Sequence, residues 1–144
     1  MRANELTLHY FAYGHNTDSS EFKRRCPSAE YVGVGKLNNF YLDFRKYANI
    51  VSDESKKVYG VVWNITHKDL LALDQDEEYH KHYNRIPVNI YTKKGTVACT
   101  TYIMDPDFNP AKTVKKDYIQ KLVIGYKEHH IPLEQIKQAL KKDS

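Results

Sequence analysis

The stretch "LHYFAYGHNTDSSEF" (residues 8–22) contains two kinds of local structure and the joint between them. Residues 6–13 mix β-branched, aromatic and apolar types and read as a strand. The run stops at Gly14, passes through polar residues, and meets Asp18 with Glu21 three positions on, a capping-box pattern for a helix start. Pro27 ends that short helix by about Cys26. A tyrosine, a glycine, a histidine and an asparagine therefore stand where a strand gives way to a helix. One reading is purely local: Gly14 allows a tight bend and Asn16 makes an Asx-type turn. The other is functional, because successive backbone N–H groups in such a turn can hold an anion.

Further along, "AEYVGVGKLNNFYLDF" (29–44) reads as two short strands bent around Lys36–Asn39, with Gly33 and Gly35 marking a bulge or bend. "KVYGVVWNIT" (57–66) is nearly continuous in apolar character, as expected of a central strand. Thr66 is placed to cap a helix through "HKDLLALDQDEE" (67–78). "NRIPVNIYTKKGTVACTTYIMD" (84–105) reads as a hairpin turning at "KKG", and "PDFNPAKT" as a loop. A helix over 113–129 follows, with Val114, Tyr118, Leu122 and Tyr126 recurring every four residues. Pro132 opens a last helix over 132–141. Strands and helices do not alternate regularly, which favours α+β over a doubly wound sheet. Six or seven short strands could curl into a small mixed barrel that removes exposed edges.

The chain of 144 residues, without repeats or linker-like tracts, reads as one domain over 1–144. Its net charge of +4 is mild, and the late lysines (Lys112, Lys115, Lys116, Lys121, Lys137, Lys141, Lys142) have the spacing of solvated helix faces, not of a nucleic-acid footprint. Cys26 and Cys99 fit no metal or redox spacing, which points to a reducing compartment. No leader pattern opens the sequence and no stretch approaches the roughly 18 apolar residues of a membrane span, so a cytoplasmic location is expected. Tyrosine is abundant, at 12 residues. Its apolar ring and polar tip suit a core or the wall of a polar cavity.

On the helix over 67–78, Leu70, Leu73 and Glu77 share one face, so a carboxylate continues an apolar stripe in the last turn. Desolvation and the negative end of the helix dipole both raise the pKa of such a group, which suits it to general-base work. Asp74, Asp76 and Glu78 around it support the alternative of a solvated acidic end. His80 and His82 lack the helical spacing of a metal pair, and no metal site is expected.

These residues, taken together, resemble the γ-glutamylcyclotransferase (AIG2-like) family. "YFAYGHN" (10–16) is similar to its Tyr-Gly-Ser-Asn signature, and "LDQDEE" (73–78) to its Leu-Asp-x-x-Glu-Gly motif. "YNRIPV" (83–88) resembles the family's Tyr-x-Arg strand, and "DYIQKLVIGYKEHHIPLEQIKQAL" (117–140) its C-terminal helices. The resemblance implies an α+β fold in which a small mixed β-barrel is packed by a catalytic helix and C-terminal helices. It also implies cyclisation of a γ-glutamyl group to 5-oxoproline without a cofactor. Glu77 would then be catalytic, and Tyr10, Phe11, Ala12, Tyr13, Gly14, His15, Asn16 and Tyr118 would bind substrate. The implied partner is a small γ-glutamyl molecule, not nucleic acid or membrane, and a homodimer is allowed. Two positions depart from the pattern: His15 replaces the signature serine and Glu78 the glycine after the glutamate. They leave open a γ-glutamylamine cyclotransferase, or a silent protein that binds γ-glutamyl metabolites.

Overall fold

Apolar residues of β1 (Thr7–Ala12) pair with the apolar end of β3 (Tyr47–Thr66), so the two richest strands of the sequence lie side by side. The computed structural model describes residues 6–76, 82–108, 110 and 113–141. Among these residues five strands run in the order β1-β3-β2-β4-β5 and close into a barrel, with β2 spanning Glu30–Arg45, β4 Tyr83–Thr92 and β5 Gly95–Met104. All neighbours are antiparallel except at the closure, where β1 and β5 meet in parallel at Tyr10 and Thr100. Thr101 reinforces that seam by donating its hydroxyl to the Phe11 carbonyl at 2.7 Å.

The fold class is the mixed α+β arrangement expected, but with fewer and longer strands than six or seven short ones. Residues 29–44 are one strand, not two, and β2 and β3 run for 16 and 20 residues as a single long ribbon. Register shifts at Tyr31/Gly33 and Asn38/Phe40 bend the ribbon without breaking it. Asn39 takes the extra place at φ 70°, a left-handed conformation that asparagine tolerates. At Gly35 the ribbon meets β4 so closely that a Cβ would lie 2.3 Å from Ile90 Cγ2. The hairpin β4–β5 turns at Lys93–Lys94, with Gly95 at φ 126°, as the "KKG" reading requires.

Among the described residues four helices cover the barrel: α1 (Ser19–Arg25), α2 (His67–Asp76), α3 (Lys116–Glu128) and α4 (Glu134–Lys141). The Asp18 carboxylate caps α1 by accepting from the Ser20 and Glu21 amides. At α2 the cap is reciprocal: Thr66 Oγ1 accepts from the Asp69 amide and Asp69 Oδ2 from the Thr66 amide, each at 3.1 Å. Leu70 and Leu73 face the core, as their shared stripe predicts. Pro132 stands just before α4 and not within it, its carbonyl accepting from the Gln135 amide at 3.2 Å. The described late lysines, Lys115, Lys116, Lys121, Lys137 and Lys141, are all exposed.

A close contact joins α3 to the segment after β1, where His15–Thr17 form one 3-10 turn. Thr17 is fully buried against Gly125 of α3, and a Cβ on Gly125 would fall 2.0 Å from Thr17 Oγ1 and 2.8 Å from Thr17 backbone carbon. Backbone cannot yield as a side-chain tip can. Gly125→Ala should therefore lower stability by about 1–3 kcal/mol, the usual cost of overpacking. Ile124→Ala, on the exposed side of the same helix, should change it little. Thermal unfolding of the two variants checks this; equal midpoints would show that the helix–turn contact is not tight.

Candidate functional site

A cavity of about 290 Å³ opens where the turn after β1, the N-terminal part of β3, α3 and the end of α2 converge. Six of the 12 tyrosines line it (Tyr10, Tyr13, Tyr47, Tyr83, Tyr102 and Tyr118), so its walls are aromatic with polar tips. The other described walls are Gly14, His15, Asn16, Ala48, Asp76, His82 and Lys121.

The turn that forms one wall is held from several sides. Tyr13 donates its hydroxyl to the Tyr102 carbonyl at 2.6 Å, and its own carbonyl accepts from Tyr126 on α3 at 2.7 Å. Burial raises the Tyr126 phenol well above its ordinary range, so it remains a donor. Asn16 is buried: its amide nitrogen donates to the Tyr10 hydroxyl at 3.0 Å, and its carbonyl accepts from the Trp63 indole at 3.1 Å. Gly14 is needed for a close approach. A Cβ there would sit 3.2 Å from that of Ala48 and 3.3 Å from the Tyr118 hydroxyl. The turn's own hydrogen bonds begin with the Thr17 and Asp18 amides. The amides of His15 and Asn16 are thus the donors that a helical start leaves over.

Arg25, at the end of α1, organises the charges beside this wall. It donates to Asn16 Oδ1, to Asp76 Oδ2 at 3.0 Å and to His15 Nε2 at 3.3 Å. Arginine can only donate, so Nε2 of His15 accepts and the ring proton sits on Nδ1. Burial, then the nearby positive charges of Arg25 and Lys121, lowers the His15 pKa to about 4. The residue that departs from the serine signature is therefore a neutral imidazole, its ring centre 5.8 Å from that of Tyr118.

The opposite wall is the end of α2. Asp74 accepts from the Tyr102 hydroxyl at 2.6 Å and pairs with Arg85 of β4 at 3.3 Å, while Asp76 pairs with Arg25. Both faces of the last described turn are thereby tied to the cavity. Glu77, the expected catalytic residue, follows Asp76 in the chain and lies outside the described residues, as do Glu78 and His80. Tyr118 stands on the third wall, its hydroxyl accepting from the Ala48 amide at 3.0 Å. Tyr83, in the Tyr-x-Arg strand, donates to the Ala48 carbonyl at 3.2 Å.

Of the expected binding residues, Tyr10, Tyr13, Gly14, His15, Asn16 and Tyr118 come together at the cavity. Phe11 and Ala12 do not line it: both are buried in the core of the β1–β3 pairing. Contiguity in a motif does not place every member at the site when the motif lies on a strand. The residues that reading along the chain did not assign to the site are Tyr47, Ala48, Asp76, Tyr83, Tyr102 and Lys121, which line the cavity, and Arg25 behind it. His82 also lines it and stacks on Phe108 at 4.0 Å, a contact of a polar loop. Burial pushes the thiols of Cys26 and Cys99 up to about 12, so neither offers a thiolate near neutral pH.

The AIG2-like family model matches residues 57–138. Human γ-glutamylcyclotransferase is 30% identical over 145 residues, covering 91% of this chain and 76% of the human protein. The bovine γ-glutamylcyclotransferase is 31% identical, covering 87% and 73%. A solved structure of a γ-glutamyl cyclotransferase superposes with a TM-score of 0.82 at 30% identity, over 92% of this chain and 86% of that one. The matched region takes in the end of β3, α2, β4, β5, α3 and most of α4. The chain belongs to the AIG2-like family and, within it, to the γ-glutamylcyclotransferases.

Proposed function

We propose that this chain is a γ-glutamylcyclotransferase that converts γ-glutamyl amino acids to 5-oxoproline and a free amino acid. The observation that carries the reading is the convergence of the 13–16 turn, Tyr118 and the end of α2 on one small cavity. Its size is close to the lower limit of about 300 Å³ typical of small-molecule sites, which suits a compact substrate.

In the reaction the α-amine of the glutamyl group attacks its own γ-carbonyl. A five-membered lactam forms, the γ-amide C–N bond breaks, and the leaving nitrogen gains a proton. Nucleophile and electrophile belong to one molecule, so the protein's main task is to hold the bent conformer that closes the ring. The amine enters as an ammonium and must first lose a proton. Glu77, next in the chain to a cavity-lining residue, is the base in this reading, and it then returns the proton to the leaving nitrogen. The positive charge of Arg25 beside the turn, which helps to lower the His15 pKa, would likewise favour the neutral amine. The amides of the turn would hold either the α-carboxylate or the negative charge developing on the γ-carbonyl oxygen. Tyr118 would close the cavity over the substrate.

A neutral His15 belongs to this reading, because an imidazolium would add a further buried positive charge beside Arg25. It fills room that a serine would leave, and so narrows the cavity next to Tyr118.

Glu77→Gln should reduce 5-oxoproline formation by about 10²–10⁴ while substrate still binds, as for loss of a general base. A rate near that of wild type would remove Glu77 from the mechanism. His15→Ser is expected to retain turnover and broaden the range of substrates accepted, measured as relative kcat/KM over a panel of γ-glutamyl amino acids. An unchanged ranking would make His15 neutral for selection. The same variant tests the histidine's titration. With a folded pKa of about 4 against an ordinary 6.5, the unfolded chain binds a proton that the native chain does not. The contribution of His15 to stability is then complete above about pH 6.5 and is lost as pH falls towards about 4. Denaturant unfolding should show wild type losing more stability than His15→Ser across that interval; parallel losses would mean that the imidazole is not held neutral.

A further inference from the structure

Among the described residues, the charges around the cavity divide into those that protein partners already answer and one that none does. Asp76 is the only carboxylate among the described walls, and Arg25 holds it at 3.0 Å. The guanidinium of Arg25 is in turn shared among Asp76, Asn16 and His15. His15 itself is neutral. Lys121 is the only lysine or arginine among the described walls, and it makes no ion pair or hydrogen bond with a described residue. Its position is also informative. It lies three residues after Tyr118 on α3, so both side chains project from the same helix face. Tyr118 is partly buried, with its hydroxyl on the Ala48 amide close to Gly14, whereas Lys121 is exposed. The tyrosine therefore marks the inner part of the cavity and the ammonium its outer rim.

We infer that Lys121 is a specificity determinant that binds the carboxylate of the leaving amino acid. This inference rests on the cyclotransferase reading. If the glutamyl end occupies the inner part, against the turn, the leaving group extends past Tyr118 to the rim. An amino acid joined through its α-nitrogen carries its carboxylate two bonds from the scissile amide. A simple amine carries none. An ammonium at the rim, unpaired among the described residues, therefore favours γ-glutamyl amino acids over γ-glutamyl amines. It acts mainly on binding, since that carboxylate takes no part in ring closure.

The test compares γ-glutamylalanine with γ-glutamylethylamine, which differ at the leaving group only by the carboxylate. It uses full-length wild type, Lys121→Gln, Lys121→Arg and, as a control elsewhere on α3, Lys116→Gln. Wild type should bind γ-glutamylalanine the better, with KM lower by about tenfold, the scale of one charge-assisted hydrogen bond. That preference should collapse in Lys121→Gln through KM and not kcat, and survive in Lys121→Arg and Lys116→Gln. A preference that persists in Lys121→Gln, or that wild type lacks, overturns the inference while the cyclotransferase reading stands. Equal weakening of both substrates also overturns it, because Lys121 would then serve the glutamyl end or the fold. Absence of 5-oxoproline from both substrates with wild type overturns the underlying reading, and this inference with it.

Discussion

The contact between Gly125 of α3 and Thr17 in the turn after β1 fixes most of what surrounds the cavity. Because no side chain separates helix from turn, Tyr126 reaches the Tyr13 carbonyl at 2.7 Å. His129, just past the helix end, donates through Nε2 to the Thr17 carbonyl at 2.9 Å. The same approach carries Tyr118, two helical turns earlier, over Gly14, and sets Lys121 at the rim. A segment of irregular backbone, which would otherwise be among the softer parts of a small protein, is thus bound to the barrel on one side and to a helix on the other. Buried polar groups in that segment are answered one by one: the Trp63 indole on the Asn16 carbonyl, Asn16 on Tyr10, and Thr17 on the Gly14 carbonyl at 2.8 Å. Such pairing of its side chains and carbonyls lowers the cost of burying a polar turn.

A second set of restraints acts on α2. Its start is locked by the reciprocal Thr66–Asp69 cap and its last described turn by Tyr102, Arg85 and Arg25. A base whose proton must move between two nitrogens of one small substrate needs placement within a fraction of an ångström. Asp74 is held by Tyr102 and Arg85, and Asp76 by Arg25, so the last described turn of α2 is tied to β5, β4 and α1. In the proposed cyclisation, the fixed turn and the aromatic walls serve to hold the substrate bent.

Much of this was legible in the sequence where local signals are strong. Asp18, Thr66, Pro27 and the "KKG" turn have specific backbone consequences, and each marks an element boundary close to where it lies. The long ribbon was not legible. Residues 52–57 are polar and largely exposed, so they lack the alternation that marks a strand, and its hairpin turns at Lys46, φ 63°, without glycine or asparagine to announce it. Pairing along the whole ribbon is a tertiary outcome that overrides weak local preference. At the cavity the residues of one contiguous motif could be named in advance, though Phe11 and Ala12 proved to serve the core. Tyr47, Ala48, Lys121 and Arg25 could not, because only the packing of α1, β3 and α3 brings them near Gly14.

The most direct measurement is identification of products after the purified protein is incubated with γ-glutamylalanine, by mass spectrometry of both halves of the substrate. A cavity that bends the substrate onto itself should yield 5-oxoproline and alanine in equal amounts, with no glutamate. Release of glutamate would mean that water, not the substrate's own amine, attacks the γ-carbonyl. That result would contradict ring closure as the task for which the turn, the tyrosines and α2 are arranged.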